Sequence, residues 1–541
     1  MKTIKTNIRR SFFFFLFAII SINTMAQSPP FNIAIEPITI AELGGIQAFA
    51  YGQDNGKWLI IGGRLDGLHR LQPFSSFDVL GNNNQLLVID PVAMEKWYAP
   101  LASLPISIQE QLSSTNMEFH QDSDILYIVG GYGYSQTAVN HITYPYLTAV
   151  DIPAVINAVT NGTNFTTFFR QISDDKFAVT GGYLHKLYNT YYLVGGQRFD
   201  GRYNPFNNPT FTQTYTNAIR KFIISDDGVN LSVLHFPDIL DAENLHRRDY
   251  NVAAQVMPDG EEGLTAFSGV FQINADLPFL NCVNIDSAGY AVNNNFSQYY
   301  NHYHCAHIPL YSASSNEMHT LFFGGIAQYF ESEGVLVQDD NVPFVRTIAR
   351  VTRIADGSMA EYKLPVEMPA LMGANSEFIP VENIPTYKNG VIILDDLTSD
   401  TTLVGYIYGG IASSAPNIFF INDGTQSSAS NQIFKVYLIK NINTGIHELN
   451  PQSAGTLQMQ IYPNPNKGSF LIKLNLLKKT DIILSIYDGY GKKIETEALK
   501  NLSVGENTFQ KTTGTFTKGG IFFITLETQY EKVTQKIIIT P

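Results

Sequence analysis

The sequence predicts an all-β protein, with a six-bladed β-propeller followed by a small β-sandwich. The chain has 541 residues, of which 41 are glycine, 36 phenylalanine and 29 tyrosine, and only 15% are charged. Aromatic residues favour strands, whereas glycines favour tight turns. A hydrophobic strand that ends in Gly-Gly recurs along the middle of the chain, and residues 457–541 carry short strands of alternating polarity. These observations predict both parts of the fold.

The repeated unit is defined by two strands with a fixed spacing. Four of the Gly-Gly strands are followed, 23 residues after their second glycine, by another hydrophobic strand that begins at Leu86, Ile219, Ile348 or Ile433. Two strands that recur together indicate an internal repeat. The Gly-Gly strands end at Gly63, Gly131, Gly196, Gly325 and Gly410, and a sixth copy ends at Gly269 with Ser268 in place of the first glycine.

Further strands complete each unit. One strand precedes each Gly-Gly strand, and another, such as that near Thr166, lies before the next unit. Four strands repeated six times are typical of a propeller, with a tandem of β-sandwiches as the alternative. Either residues 32–38 or residues 444–449 are expected to complete the last blade. The predicted inner strands begin near Ile46, Met117, Lys176, Tyr250, His302 and Asn375.

The first blade carries the motif of a known repeat. Its Gly62, Gly63, Asp90 and Trp97 resemble the kelch family, so the resemblance implies a kelch-type propeller like that of galactose oxidase. The other blades lack the tryptophan and exceed the kelch period of about 50 residues. Galactose oxidase holds copper through a Tyr crosslinked to Cys, but no matching ligand motif is found here, and no cofactor is expected.

The N-terminus has the organisation of a signal peptide. Basic residues are followed by an apolar run from Ser11 to Ile22 and by small residues before a cleavage site after Ala26. A retained membrane anchor is the alternative, although the run is short for a bilayer and no later segment looks transmembrane. The expected domains are a signal peptide (1–26), the propeller (27–450), a linker (451–456) and a C-terminal domain (457–541).

The tail resembles a secretion domain. Tyr462-Pro463-Asn464-Pro465, Gly468 and Tyr487-Asp488 precede a lysine-bearing final strand, and the order is similar to that of the type A sorting domain of the type IX secretion system. The resemblance implies an immunoglobulin-like β-sandwich that interacts with the type IX machinery, and a protein that is secreted or displayed on the outer cell surface. A terminal carbohydrate-binding sandwich is the alternative.

Charge excludes one class of partner. The whole chain has a formal net charge of −13, although both its leader and its tail are basic. The propeller is therefore strongly acidic, which makes it a poor nucleic-acid binder. Its two cysteines, Cys282 and Cys305, are expected on strands of different blades, too far apart for a disulfide.

Propeller topology predicts where a ligand would bind. Residues that follow each Gly-Gly pair and residues that precede each inner strand are expected on one face, around a central mouth. Arginine side chains match carboxylates or phosphates there, and aromatic rings suit sugars. The alternative is that these residues tie neighbouring blades together. The expected ligand-binding residues are Arg64, Asp66, Tyr132, Arg198, Asp200, Arg202, Arg248, His302 and Tyr329.

The sequence leaves the function open between three classes. The favoured hypothesis is a secreted or surface protein that binds a glycan or another extracellular ligand at the propeller mouth. The alternatives are a carbohydrate-active enzyme (a mutarotase, lyase or oxidase) that uses His246, Asp249 and Glu377, or a protein–protein adhesion platform. His302 and His304 share a strand face and are weak candidates for a metal site, because no carboxylate lies near them in sequence.

Overall fold

The computed structural model describes residues 31–70, 76–204, 210–440, 457–476, 479–488, 492–512, 519–528 and 532–540. The chain divides into two compact units between Lys440 and Asn441. The predicted signal peptide and the predicted linker 451–456 lie outside the described residues. The predicted all-β class is confirmed.

In the first unit, six of the described sheets have four main antiparallel strands each and are numbered here along the chain; a further four-stranded sheet and a two-stranded hairpin are inserted between their strands. The first described strand, β1 (Phe31–Ile38), belongs to sheet six. Sheet one contains β2 (Ala50–Asp54), β3 (Lys57–Ile61), β4 (Gln85–Asp90) and β5 (Glu95–Pro100), and helix α1 (Ile106–Leu112) follows it. Sheet two contains β6 (Glu118–Asp122), β7 (Ile125–Val129), β10 (Tyr146–Asp151) and β11 (Phe169–Ser173), with β8 (Tyr132–Ser135), β9 (Asn140–Thr143) and helix α2 (Ile152–Asn161) inserted.

The next two sheets repeat this order. Sheet three contains β12 (Tyr183–Leu187), β13 (Thr190–Val194), β16 (Ala218–Asp226) and β17 (Leu231–His235), with β14 (Gln197–Gly201) and β15 (Phe211–Tyr215) inserted and β18 (Ile239–Leu240) paired to β16. Sheet four contains β19 (Asn251–Val256), β20 (Glu262–Phe267), β21 (Cys282–Ile285) and β22 (Tyr290–Asn293).

Sheets five and six complete the first unit. Sheet five contains β23 (His307–Ser312), β24 (Glu317–Phe323), β27 (Thr347–Arg353) and β28 (Met359–Glu367), with an inserted hairpin of β25 (Tyr329–Ser332) and β26 (Val335–Gln338). Sheet six contains β29 (Met372–Pro380), β31 (Thr401–Ser413), β33 (Ile433–Lys440) and β1; β30 (Ile392–Ile393) pairs with β23, and β32 (Ser427–Ala429) pairs with β31.

The N-terminal strand closes the last sheet. β1 pairs antiparallel with β33, from Phe31 opposite Lys440 to Ile38 opposite Ile433. Sheet six therefore combines the first strand of the described chain with the last strands of the first unit. Of the two closing strands that the sequence allowed, residues 32–38 take this place, whereas 444–449 lie outside the described residues.

In the first five sheets the Gly-Gly pair, or Ser268-Gly269, directly follows the second strand, whereas Gly409 and Gly410 lie within β31. Gly130 and Gly131 have φ values of 67° and 91°, and Ser268, which replaces a glycine, has φ 49°. A Cβ atom on Gly130 would overlap the carbonyl oxygen of Val179, in the segment that leads to the next sheet. The Gly131 N–H donates to that same carbonyl at 2.9 Å. Glycine is needed here both for its backbone conformation and for the close approach between sheets.

Replacing Gly130 with alanine is expected to destabilise the first unit by about 3 kcal/mol or more, because backbone strain and steric overlap act together. The matched control is Gly228→Ala, since Gly228 has φ 86° but nothing within 4 Å of its Cβ position. The control variant should lose only about 1–2 kcal/mol of unfolding free energy, because it carries the left-handed backbone strain without the steric overlap. Chemical denaturation of both variants measures the difference. Equal losses of unfolding free energy would contradict a steric role for the close approach between Gly130 and the Val179 carbonyl.

Packing between sheets uses aromatic side chains. Trp58 of β3 is buried, and its ring centroid lies 5.1 Å from that of Tyr406 and 6.3 Å from that of Tyr408, both on sheet six. Helix α2 covers sheets one and two with Val155 and other buried residues. The sequence interpretation missed this helix, although Asp151 caps its start and Gly162 ends it with φ 65°.

Two predicted inner strands are wrong. The segment at Lys176 forms a short 3-10 turn, and the inner strand of sheet three is β12, which begins at Tyr183. In sheet five the inner strand begins at His307 rather than His302. In both sheets the hydrophobic residues of the segment before the strand imitate a strand pattern.

The second unit has one core between two sheets, as a β-sandwich requires. Buried residues from both sheets, including Ile472, Leu484 and Ile524, form this core. Three strands make one described sheet, β34 (Leu457–Tyr462), β35 (Ser469–Leu476) and β38 (Gly505–Thr512); the other contains β36 (Thr480–Asp488), β37 (Lys493–Leu502), β39 (Gly520–Glu527) and β40 (Lys532–Ile539).

Neither cysteine is bonded to the other. Cys282 and Cys305 are both free and buried, and burial raises the pKa of each thiol to about 12. They therefore act as small apolar side chains in the core. Among the described residues, no helix is long and apolar enough to cross a membrane.

Candidate functional site

Six described residues form a closed ring of backbone hydrogen bonds at the entry to the inner strands. Each N–H donates to the carbonyl of the preceding member at 2.8–3.3 Å, and Ala48 donates to Asn375 to complete the circle. Ala48, Asn116, Gly181, Asp249 and Asn375 all have positive φ values. The ring members, one from each sheet, are Ala48, Asn116, Gly181, Asp249, His304 and Asn375.

The face beyond this ring is covered by a cap, defined here as the segments that follow the Gly-Gly pairs. Strands β8, β9, β14 and β15 form one cap sheet that joins the loops of sheets two and three. Other cap segments are tied by Asp66 paired with Ser428, and by the side-chain amide of Asn422, which donates to the Leu68 carbonyl at 2.8 Å. Phe344 and neighbouring residues give the cap its own apolar core. The cap therefore fills the face on which the sequence predicted an open mouth.

A cavity of about 840 Å³ lies on the other side of the ring, among the inner strands. Ring residues such as Asn116 and His304 line one end. The hairpin turns at the other end contribute Ser123, Glu382 and Lys388, which are exposed. The cavity is thus closed by the ring and open at the hairpin turns, and its volume lies in the range of small-molecule sites.

A buried ion pair lies at the closed end. His304 Nε2 is 3.0 Å from Glu377 Oε1, and the Glu377 side chain is only 6% exposed. Burial lowers the pKa of His304, but the adjacent Glu377 carboxylate raises it overall. The hydroxyl of Tyr51 donates to the Phe378 carbonyl at 2.7 Å, and its pKa is raised by burial and by Glu377. This end presents a paired carboxylate beside aromatic rings.

Three further histidines line the wall between the two ends. The rings of His120 and His185, on neighbouring inner strands, have centroids 4.9 Å apart. His307 Nε2 is 3.5 Å from the hydroxyl of Tyr183. Burial lowers the pKa of His120 to about 3 and those of His185 and His307 to about 4. These imidazoles are neutral at physiological pH, so each offers one donor and one acceptor.

A second carboxyl beside the ring is also buried. Glu118 Oε1 accepts a hydrogen bond from the Gly182 N–H at 2.8 Å, whereas Oε2 is buried without a partner among the described residues. Burial raises the pKa of Glu118 well above its ordinary value. The two carboxyls therefore differ in environment: Glu118 has no ion-pair partner among the described residues, whereas Glu377 is paired with His304.

Several of the predicted ligand residues are parts of the cap. Arg64 is buried and makes two hydrogen bonds to the Asp66 carboxylate, at 2.6 and 2.5 Å. The Tyr132 hydroxyl donates to the Gly201 carbonyl at 2.7 Å and accepts from the Tyr203 N–H at 2.9 Å. These side chains tie loops of the cap together, which is the alternative that the sequence left open.

The remaining predicted residues also contact neighbouring groups of the protein. Arg198 pairs locally with Asp200 at 2.9 Å, and both side chains are nearly half exposed. Arg202 donates to the Ser76 carbonyl, and Tyr329 packs edge-on against Tyr299. Arg248 pairs with Asp249 at 2.5 Å, and its guanidinium lies over the ring of Phe271. Arg64, Asp66 and Arg248 nevertheless lie near one another around His69, and whether the predicted residues bind a ligand stays a prediction.

The predicted histidine pair is split. His302 is fully buried, with Nε2 2.8 Å from the Gln298 carbonyl and Nδ1 accepting from the Gln328 N–H at 3.0 Å. His304 instead reaches the cavity, because residues 302–304 precede the strand and strand alternation does not apply to them. In the described part of the chain, no three His, Cys, Asp or Glu side chains form a group that could hold a metal.

The catalytic candidates are divided in the same way. Asp249 and Glu377 line the cavity, whereas His246 stacks on Tyr215 with ring centroids 3.7 Å apart and is not among the lining residues. Sequence reasoning missed Tyr183, His185 and His307 as site residues. One signal was available, because polar residues at alternate positions of a central strand indicate a cavity.

The comparisons identify the tail. Residues 460–540 match the family described as the secretion system C-terminal sorting domain. The protein is therefore exported by type IX secretion to the cell surface or the extracellular space. No curated protein matches the chain.

Solved structures with similar folds are distant. The structure of YjhT has 10% identity and a TM-score of 0.39, and the match covers 73% of this chain and 97% of YjhT. Sucrose-6-phosphate hydrolase from Lactobacillus gasseri has 9% identity and a TM-score of 0.26, covering 94% and 86%. A family 43 arabinoxylan arabinofuranohydrolase from Bacillus subtilis has 10% identity and a TM-score of 0.27, covering 92% and 96%. At these scores the site must be interpreted from its own residues.

Proposed function

We propose that this exported propeller binds an extracellular glycan in the central cavity, with the closed end holding the deepest sugar. The observation that carries the proposal is the cavity itself, about 840 Å³, closed by the ring and lined by residues of all six inner strands, many of them aromatic or polar. Aromatic faces suit sugar rings, and a small number of convergent polar groups fixes orientation. Export brings the cavity into contact with extracellular material.

Replacing Glu377 with glutamine tests the closed end. If Glu377 accepts hydrogen bonds from sugar hydroxyls, the variant should lose about 1.5–3 kcal/mol of binding free energy, the range for hydrogen bonds to a charged group. The measurement is calorimetric titration of the mature chain, from Gln27 onward, with the saccharide that binds best on a glycan array. The matched control is Glu95→Gln, an exposed residue of β5.

The same variant separates binding from structure. A purely structural role for Glu377 predicts a lower unfolding temperature and unchanged affinity in the molecules that remain folded. Unchanged affinity would remove the closed end from the site. Binding of no saccharide by the unmodified chain would contradict the proposal as a whole.

The environments of Glu118 and Glu377 favour an enzyme as the second candidate. The buried Glu118 carboxyl stays protonated where an ordinary carboxyl is ionised, while Glu377 lies beside a cation. Two carboxyls held in different environments can serve as acid and base. Incubation of the bound saccharide with the protein, followed by product analysis, distinguishes the candidates: an altered product supports the enzyme, and an unchanged saccharide supports binding alone.

A further inference from the structure

Three of the carboxylates that line the cavity already have cations. Asp122 lies 2.5 Å from the Lys186 ammonium and accepts from the Tyr191 hydroxyl at 2.7 Å. Glu377 is paired with His304, and Asp249 with Arg248. Each of these pairs is internal to the protein, so none of the charges is free to neutralise a ligand.

The other titratable groups of the inner cavity add no charge. Burial raises the pKa of Glu118 well above its ordinary value, which favours the neutral form, and it keeps His120, His185 and His307 neutral. Glu262, Glu382 and Lys388 also line the cavity, but they belong to its outer end, where solvent screens them. The inner wall is therefore polar and electrically balanced.

His120 is a free hydrogen-bonding group of this wall. In the described part of the chain, its ring contacts His185 and Tyr191 but neither ring nitrogen has a hydrogen-bond partner. A neutral imidazole both donates and accepts, and so does a sugar hydroxyl. A charged sugar would bring an unpaired charge into a buried site, which is unfavourable without a free counter-charge.

We infer that the cavity selects uncharged saccharides over acidic ones, with His120 as a specificity-determining residue. The inference rests on the proposed glycan-binding function, and it names the substrate class of the same site. It follows from the pairing of the charges, because neither a carboxylate nor an ammonium on the ligand finds an unpaired partner in the inner cavity.

Matched pairs of oligosaccharides test the inference on the mature chain. The probes are tetrasaccharides of galactose and of galacturonate, and of mannose and of mannuronate. In at least one pair the neutral member should bind, and its uronate should bind at least tenfold more weakly. A uronate that binds as tightly as its neutral counterpart, or more tightly, would overturn the inference while leaving glycan binding intact; no binding by any member would overturn both.

Two variants at one position sharpen the test. His120→Phe keeps an aromatic ring but removes both nitrogens, and should lower the affinity for the neutral tetrasaccharide about tenfold. His120→Lys introduces an unpaired cation and should reverse the preference in favour of the uronate. The matched control, His235→Phe, alters a histidine on the outer strand β17 and should change neither affinity. Folding of each variant is checked by its unfolding transition, and an unchanged preference in a folded His120→Lys protein would contradict the role of His120.

Discussion

Lowering the pH from 7 to 5 is expected to destabilise the propeller by several kcal/mol. Six histidines have pKa values lowered to about 3 or 4, in each case chiefly by burial. An unfolded histidine has a pKa of about 6.5, so below that pH the unfolded state binds protons that the folded state does not. These histidines are His69, His120, His185, His302, His307 and His319.

The sign of the effect follows from linkage. A histidine whose folded pKa is depressed loses its contribution to stability as the pH falls from the unfolded pKa towards the folded one, by about 1.4 kcal/mol per pH unit. Three groups oppose the trend because their folded pKa values are raised: Glu118, Glu361, whose pKa is about 8 because of burial, and His304. Six depressed histidines outweigh these three groups, so acid should weaken the fold.

Urea unfolding at pH 7, 6 and 5 measures this dependence. His120→Gln removes one proton-binding site from the unfolded state and should reduce the slope by about 1.4 kcal/mol per pH unit. The matched control, Gln121→Asn, changes a neighbouring cavity residue that does not titrate. It should shift the free energy of unfolding by the same amount at every pH and leave its dependence on pH unchanged. Equal stability of the unmodified chain at pH 7 and pH 5 would contradict the neutral state of these histidines.

The repeat could be predicted from the sequence because it depends on local backbone requirements. The glycine pairs that end at Gly63 and Gly196 were expected to have positive φ values. The structure shows this conformation at both pairs. The third strands that begin near Leu86 and Ile219 also occur where the spacing predicted them. The Gly-Gly pairs and the constant spacing to the next strand together predict the repeat, since few other sequences have both features.

The site could not be predicted in the same way, because it depends on how loops from different sheets pack together. Arg64 and Tyr132 follow Gly-Gly pairs as expected, but cap segments that are distant in sequence cover them. The closed end of the cavity results from the six inner strands meeting at the ring. Within single strands, only the polar residues on β6 and β12, such as His120 and His185, indicated the cavity.

Deleting residues 457–541 is expected to stop secretion and to leave a folded propeller in the periplasm. The strands that close sheet six, β1 and β33, both end before this region, so its removal breaks no described pairing of the first unit. The tail has its own core and matches the sorting-domain family over residues 460–540. The expected result is therefore a change of location without a loss of fold.

Cell fractionation and protease treatment of intact cells measure where the truncated chain accumulates, and the unfolding transition of the purified product verifies the propeller. A second variant keeps the full length: Ile524→Asp places a carboxylate at a fully buried position of the tail, which should unfold the sandwich. It should reproduce the secretion defect, whereas Ile521→Asp on the same strand, at a half-exposed position, should not. Normal surface display of the truncated chain would show that export does not require the tail. Retention of the truncation with normal export of Ile524→Asp would instead show that the type IX machinery recognises a segment of the tail rather than its folded sandwich.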